Sequence, residues 1–319
     1  MKADYIWMNG EMVAFDEAKI HVLSHVVHYG SGVFEGMRAY TVNGKAAIFR
    51  LDDHIKRLYE GIKVYRMEAP YTQEEYKKAV LDTLRANKLK SAYIRPLYYR
   101  GMNSLGVNPK PCPVDALIAA WEWGAYLGDE AIEKGIKAKI SSWTRSAPNT
   151  FPTMVKACGN YLSGQLIKME ALELGFDEGI ALDVNGNLAE GSGENLFIVK
   201  DGVIYTTPIS SSILCGITRD TVMKICEKFG YRVVEQTLPR EFLYMADEVF
   251  FTGTAAELTG VTQVDHQVIG DGYVGEVTKR IQQEYFDIVN GRVTYDESWL
   301  TFVEDEEEVC SEERISDVG

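Results

Sequence analysis

The chain has 319 residues, 46% hydrophobic and 25% charged, and these near-average values exclude disordered, collagen-like and disulfide-stapled classes and make two domains the natural size. Asp and Glu number 47 against 33 Lys and Arg, a net charge of −14 that repels phosphate backbones and argues against a nucleic-acid partner. The longest apolar run is Ala116 to Trp121, no signal peptide is visible, and five cysteines without a C-x-x-C point to a soluble protein of a reducing cytoplasm.

In chain order, Asn9-Gly10 and Asn43-Gly44 are type I′ hairpin signals, each between two short strands. Leu51, Ile55, Leu58 and Ile62 recur at helical spacing and predict a helix over 51–65. A second helix over 72–87 opens with Thr72 and Glu75, a capping box. Tyr93 to Tyr99 and Asp115 to Trp121 read as buried strands around a proline-rich loop at 108–113. Residues 123–129 are the expected interdomain connection, dividing a domain of 1–122 from one of 130–303.

In the second domain a strand is expected over 136–143. A helix over 162–172 would bury Leu162, Leu166, Met169 and Leu172. Turns at Asn185-Gly186 and Asp201-Gly202, a helix over 218–229 with Val222, Ile225, Cys226 and Phe229 inward, and a strand over 248–251 complete it. Residues 304–319 hold eight acids and one Arg and are expected to form a solubilising tail. The fold class is α+β in two domains, the second a barrel-like sheet with helices.

Several segments suggest chemistry. His21, His25 and His28 have metal-ligand spacing, but no carboxylate stands within the cluster, and three ordinary histidines are the stronger reading. No dinucleotide or Walker fingerprint is present. Gly216-Ile217-Thr218 enters a helix, and Thr252-Gly253-Thr254 follows a strand. Both turns offer N–H and hydroxyl donors to one phosphate, and Arg57 is a candidate third contact. Lys156 stands between Met154-Val155 and Ala157-Cys158. Burial among such neighbours would lower its pKa, which a Schiff-base lysine requires. Glu190 lies between small residues that would let its carboxylate approach a flat ring.

Lys156-Ala157-Cys158-Gly159-Asn160-Tyr161, Glu190-Gly191-Ser192-Gly193-Glu194-Asn195 and Gly216-Ile217-Thr218-Arg219 resemble the class IV aminotransferase signature. His28-Tyr29-Gly30, Val33-Phe34-Glu35-Gly36-Met37-Arg38, Tyr93-Ile94-Arg95-Pro96 and Trp123-Gly124-Ala125-Tyr126 narrow the resemblance to bacterial branched-chain amino acid aminotransferases. It runs from about residue 3 to about 290 and leaves out the acidic tail.

The resemblance implies a fold type IV enzyme using pyridoxal 5′-phosphate on Lys156, with Glu190 at the pyridine nitrogen. It places Tyr161 at the ring hydroxyl, and Arg57, Gly216, Ile217, Thr218 and Thr254 around the phosphate. Tyr29, Phe34, Tyr93, Arg95, Trp123, Tyr126, Thr254 and Ala255 match the substrate pocket, where Arg95 and Tyr29 would receive glutamate's distal carboxylate. The implied reaction is ping-pong transamination of Leu, Ile and Val with 2-oxoglutarate, in a homodimer or larger assembly and without metal. Cys158 and Cys215 depart from the family's Gly and Pro, and the loop at 103–107 differs from its usual forms. Three alternatives are a D-amino-acid aminotransferase or aminodeoxychorismate lyase of the same fold, a non-catalytic binding protein, and a metal enzyme using the histidines.

Overall fold

The computed structural model describes residues 3–124 and 127–303. Tyr126 and the acidic segment 304–319 lie outside the described residues. The described chain divides into two compact units, 3–123 with 288–303 and 124–287.

In the first unit β1 (Tyr5–Met8), β2 (Glu11–Ala14), α1 (His25–Tyr29), β3 (Gly32–Phe34), β4 (Met37–Val42), β5 (Lys45–Phe49), α2 (Leu51–Val64), α3 (Gln73–Ala86), β6 (Ala92–Arg100) and β7 (Val114–Trp121) follow in order. Both type I′ turns form, with left-handed backbone at Asn9, Gly10, Asn43 and Gly44. α2 buries Leu51, Ile55, Leu58 and Ile62, as its spacing requires. α3 starts with Thr72 and Glu75 in a reciprocal capping box.

Eight strands make one sheet, ordered from the C-terminal strand through β5, β4, β6, β7 and β1 to β2, with β3 also on β6. Residues of β6 alternate between two faces. The even face carries Ile94 and Tyr98, both fully buried, and Tyr98 meets Tyr76 of α3 and Tyr59 of α2. Tyr93 and Arg95 lie on the odd face. Register places Arg38 and Trp121 opposite Tyr93, and Phe34 opposite Leu97, so strand pairing gathers Phe34, Arg38, Tyr93, Arg95, Leu97 and Trp121 on the side away from the helices.

The second unit holds α4 (Asp129–Lys134), β8 (Ile136–Thr144), α5 (Tyr161–Glu173), β9 (Glu178–Leu182), β10 (Leu188–Gly191), β11 (Asn195–Lys200), β12 (Val203–Thr206), α6 (Ile217–Lys228), β13 (Val233–Glu235), β14 (Glu248–Gly253), β15 (Glu257–Val264) and β16 (Gln267–Val268). Nine strands form a sheet running β10, β9, β8, β15, β14, β11, β12, β13, with β16 on β15. A bond from Gly191 N–H to the Glu194 carbonyl, 2.7 Å, turns β10 back toward β11, so the sheet curls like part of a barrel. Ile140, Ile180, Leu196, Ile198, Phe251 and Val261 fill its core. α7 (Glu276–Val289) follows, and β17 (Leu300–Val303) pairs with β5. Residues 288–303 thus belong to the first unit and not, as expected, to the domain of 130–303; the pairing of β17 decides this.

One further expectation is corrected. Leu162, Leu166, Met169 and Leu172 are exposed, whereas α5 buries Gly164, Ile167 and Ala171. A Cβ on Gly164 would stand 2.5 Å from the Ser192 carbonyl, and one on Gly179 would stand 2.5 Å from Ile167 Cγ2. Close approach at these glycines fixes the small-residue face inward. At Asn185-Gly186 only the glycine is left-handed. The Asp183 carboxylate accepts from Asn185 N–H at 2.8 Å and Asn187 N–H at 2.9 Å, closing the turn of the expected hairpin between β9 and β10.

Candidate active site

Lys156 follows a turn closed by Val155 N–H on the Pro152 carbonyl at 3.0 Å. Val155 and Ala157 on either side are buried, while Met154 is exposed, so the apolar setting of Lys156 is narrower than its neighbours in sequence suggest. Its ammonium donates to the Tyr161 hydroxyl. Tyr161 is the first residue of α5, and the short helical turn Cys158–Asn160 sets its direction.

Glu190 is buried on β10. Its Oε1 accepts from Arg145 at 2.8 Å, and its Oε2 from Asn195 Nδ2 and Leu214 N–H, each at 3.1 Å. Burial pushes this carboxyl above the usual range, and Arg145, the Leu214 N–H, Lys156 and Arg219 pull it back. These four groups oppose the desolvation of the charge without outweighing it, and the carboxyl stays above its ordinary range. Arg145 and Leu214 were not expected from sequence. The one signal is indirect: a buried carboxylate needs a partner, and nothing local marks which Arg supplies it.

α6 begins at Gly216 with no side-chain cap, so its first N–H groups lack intrahelical partners. A Cβ on Gly216 would lie 2.1 Å from Asn195 Oδ1, which explains glycine at this entry. Thr218 in the first turn is buried. Thr252 Oγ1 on β14 is buried and has no partner among the described residues. Thr254 and Ala255 follow β14 in a half-buried turn. An amine beside a phenol, a held carboxylate and a helix start without a side-chain cap fit the demands of pyridoxal phosphate: a carrier, a ring-oxygen partner, a ring-nitrogen partner and an anion cradle.

In the first unit Arg57 of α2 donates to Glu35 Oε1 at 2.6 Å and Oε2 at 2.9 Å, and His54 Nδ1 meets Oε2 at 2.7 Å. Burial raises the Glu35 pKa, but Arg57 and His54 outweigh it and hold the carboxyl well below the usual range. Arg57 is therefore a positioned cation. On the odd face of β6, Arg95 Cζ lies 4.8 Å from the Phe34 ring centroid and 5.2 Å from that of Tyr93. Its terminal nitrogen reaches the Tyr93 hydroxyl at 3.3 Å. Trp123 packs edge-on to Tyr93 at 4.5 Å.

Tyr29 is half exposed, and its hydroxyl donates to the Leu105 carbonyl at 2.6 Å. Within this chain it serves the 103–107 loop and not the Arg95 cluster. The three histidines do not converge. His25 bonds Ser31 and the Gly106 carbonyl, His28 the Val22 carbonyl, and His21 accepts from Leu23 N–H. Each imidazole has a local structural use.

Residues 32–264 match the family model for the class IV amino-transferases. The branched-chain-amino-acid aminotransferase of Salmonella typhimurium is 53% identical over 94% of this chain and 97% of its own length. The Escherichia coli enzyme of that name is also 53% identical, with the same coverage. Its crystal structure superposes with a TM-score of 0.93 at 52% identity, over 95% of this chain and all of that one. The T.th. branched-chain amino acid aminotransferase complexed with N-(5′-phosphopyridoxyl)-L-glutamate gives 0.91 at 50% identity and the same coverage. The chain belongs to the class IV aminotransferases and, within them, to the branched-chain-amino-acid group, whose members are pyridoxal-phosphate enzymes.

Proposed function

We propose that the chain interconverts L-leucine, L-isoleucine and L-valine with their 2-oxo acids, with L-glutamate and 2-oxoglutarate as the other pair. The observation that carries this reading is Lys156 against the Tyr161 hydroxyl, in the same unit as the Arg145-held Glu190, in a member of this family. Lys156 Nζ would carry the cofactor, Glu190 would face its ring nitrogen, and Tyr161 its ring oxygen. Arg57, the Gly216-Ile217 backbone, Thr218 and Thr254 would hold the phosphate. Bound there, pyridoxal phosphate supplies the electron sink that lets a proton leave the substrate Cα. Released from the cofactor by the incoming amino group, Lys156 Nζ would take the Cα proton as base and hand it on, as acid, to the cofactor carbon it had been bonded to. Tyr161 orients Nζ through their shared hydrogen bond. Arg145 holds the Glu190 carboxyl in place and counters part of the cost of its burial.

Substrate selection is assigned to Phe34, Tyr93, Arg95 and Trp123 on the first unit's odd face, with Tyr126, which lies outside the described residues. Aromatic rings suit branched alkyl chains, and the Arg95 guanidinium suits a distal carboxylate. Thr254 and Ala255 would serve the α-carboxylate. A homo-oligomer is part of the reading. Val22, Val27, Tyr29 and Val107 are 71%, 55%, 47% and 84% exposed, an apolar load that calls for a covering partner. A cytoplasmic location is also part of it, supported by the free thiols of the four cysteines described, which suit a reducing compartment. No helix among the described residues is long and apolar enough to cross a membrane.

The test is an amino-donor panel with 2-oxoglutarate on the purified holoenzyme. L-Leu, L-Ile and L-Val should be turned over and D-Ala should not. Turnover of D-Ala without L-Leu would replace this reading with the D-amino-acid one.

A further inference from the structure

Trp121 ends β7 directly opposite Tyr93 of β6. Its ring lies 5.4 Å from Tyr93 and 5.9 Å from Trp123, centroid to centroid. It therefore shares the odd face with Arg95, whereas its neighbour Ala120 is fully buried on the opposite face. The indole Nε1 is shut off from solvent and has no acceptor among the described residues, and the same holds for Arg95 Nε. An indole N–H can only donate, and buried donors in native proteins nearly always find an acceptor. One orphan donor is an isolated cost. Two on one sheet face, among aromatic rings and beside the guanidinium of Arg38, describe a place kept for an acceptor the protein does not itself supply.

We infer that Trp121 is a specificity-determining residue whose indole N–H, together with Arg95 Nε, receives the side-chain carboxylate of a dicarboxylic substrate. The inference rests on the reading of this face as the substrate side. A carboxylate satisfies both donors, with its charge balanced by the guanidinium. A branched alkyl chain meets the rings of Trp121 and Phe34 and leaves the two donors unmet. The N–H thus favours the glutamate and 2-oxoglutarate pair, while the ring serves both kinds of substrate.

The experiment measures binding to the holoenzyme of two unreactive acids, glutarate and 4-methylvalerate, by calorimetry. Trp121→Phe keeps a ring and removes only the donor. The ratio of glutarate to 4-methylvalerate affinity should fall about tenfold, the worth of one hydrogen bond of about 1.4 kcal/mol. Arg95→Gln is measured beside it. If Arg95→Gln lowers the ratio and Trp121→Phe does not, the Trp121 assignment falls and the substrate face stands. If neither lowers it, the reading of the face falls, and the inference with it. Should Trp121→Phe not fold, the wild-type enzyme labelled with 15N-tryptophan decides. The Trp121 N–H resonance should move downfield with glutarate and not with 4-methylvalerate; equal shifts overturn the inference.

Discussion

At the scale of single residues, the second unit contrasts two buried carboxyls on one turn, Glu190 and Glu194. Glu190 is held by Arg145, Asn195 and the Leu214 N–H. Glu194 has Gly193 N–H at 3.0 Å, and burial with the Glu178 carboxyl nearby pushes its pKa up to about 8. A carboxyl whose folded pKa is raised binds its proton more tightly when folded. Its contribution to stability is complete below its ordinary value of 4.5 and is lost as pH rises toward 8. Glu194→Gln, which keeps the acceptor and removes the titration, should therefore raise the melting temperature at about pH 8 relative to wild type and narrow the difference at about pH 4.5. An identical pH profile in the two proteins would remove the assignment. For Lys156 the expected result is chemical. Lys156→Ala should lose at least about a hundredfold in turnover, the lower bound for a positioned base, while still retaining cofactor through the phosphate contacts. Absorbance of the purified variant reports the cofactor and a coupled assay the turnover; near-normal turnover would sink the central assignment.

At the scale of elements, α5 shows how packing distance overrides hydrophobic pattern. Its Leu and Met stripe satisfies helical spacing, yet the buried face is Gly164, Ile167 and Ala171. The reason lies off the helix: Gly179 of β9 meets Ile167, and Ser192 meets Gly164, so glycine at 164 and 179 lets the backbones approach on that face. Removing Ile167 should leave a cavity and cost about 2 to 5 kcal/mol in Ile167→Ala. Leu166→Ala on the exposed face should cost no more than about 0.5 kcal/mol. Urea titrations of both variants check the order, and a larger loss at Leu166 would show that the stripe is covered. α2 and α3 behave in the opposite way. There periodicity and a capping box suffice, because the sheet face they cover is apolar and aromatic.

At the scale of the whole molecule, one part of the exposed apolar load sits on the segment 20–29 and the loop 102–107 of the first unit. Tyr29 and Leu105 are tied there by a hydrogen bond of 2.6 Å, so both segments present one surface. Val107→Glu adds a charge at its most exposed member. Light scattering should report an assembly for wild type and a shift toward monomer for the variant at micromolar concentration. A wild-type monomer would refute the oligomer, and an unchanged assembly would move the interface elsewhere.

Sequence by itself determined whatever local chemistry controls. The two type I′ turns follow from Asn-Gly pairs, α2 from its apolar spacing, and the start of α3 from Thr72 and Glu75. The motifs around Lys156, Glu190 and Gly216 were legible because each is a short contiguous run. Tertiary structure decided what depends on partners distant in sequence. Arg145 reaches Glu190 from beyond the end of β8, and Arg57 reaches Glu35 from another element. β17, near the end of the described chain, joins a sheet that β1 begins. The inward face of α5 and the shared face of Tyr93, Arg95 and Trp121 were likewise settled by contact and register. Local propensity acts within a few residues of the chain, whereas the pairing of buried charges and the choice of a packed face are fixed only when distant segments meet.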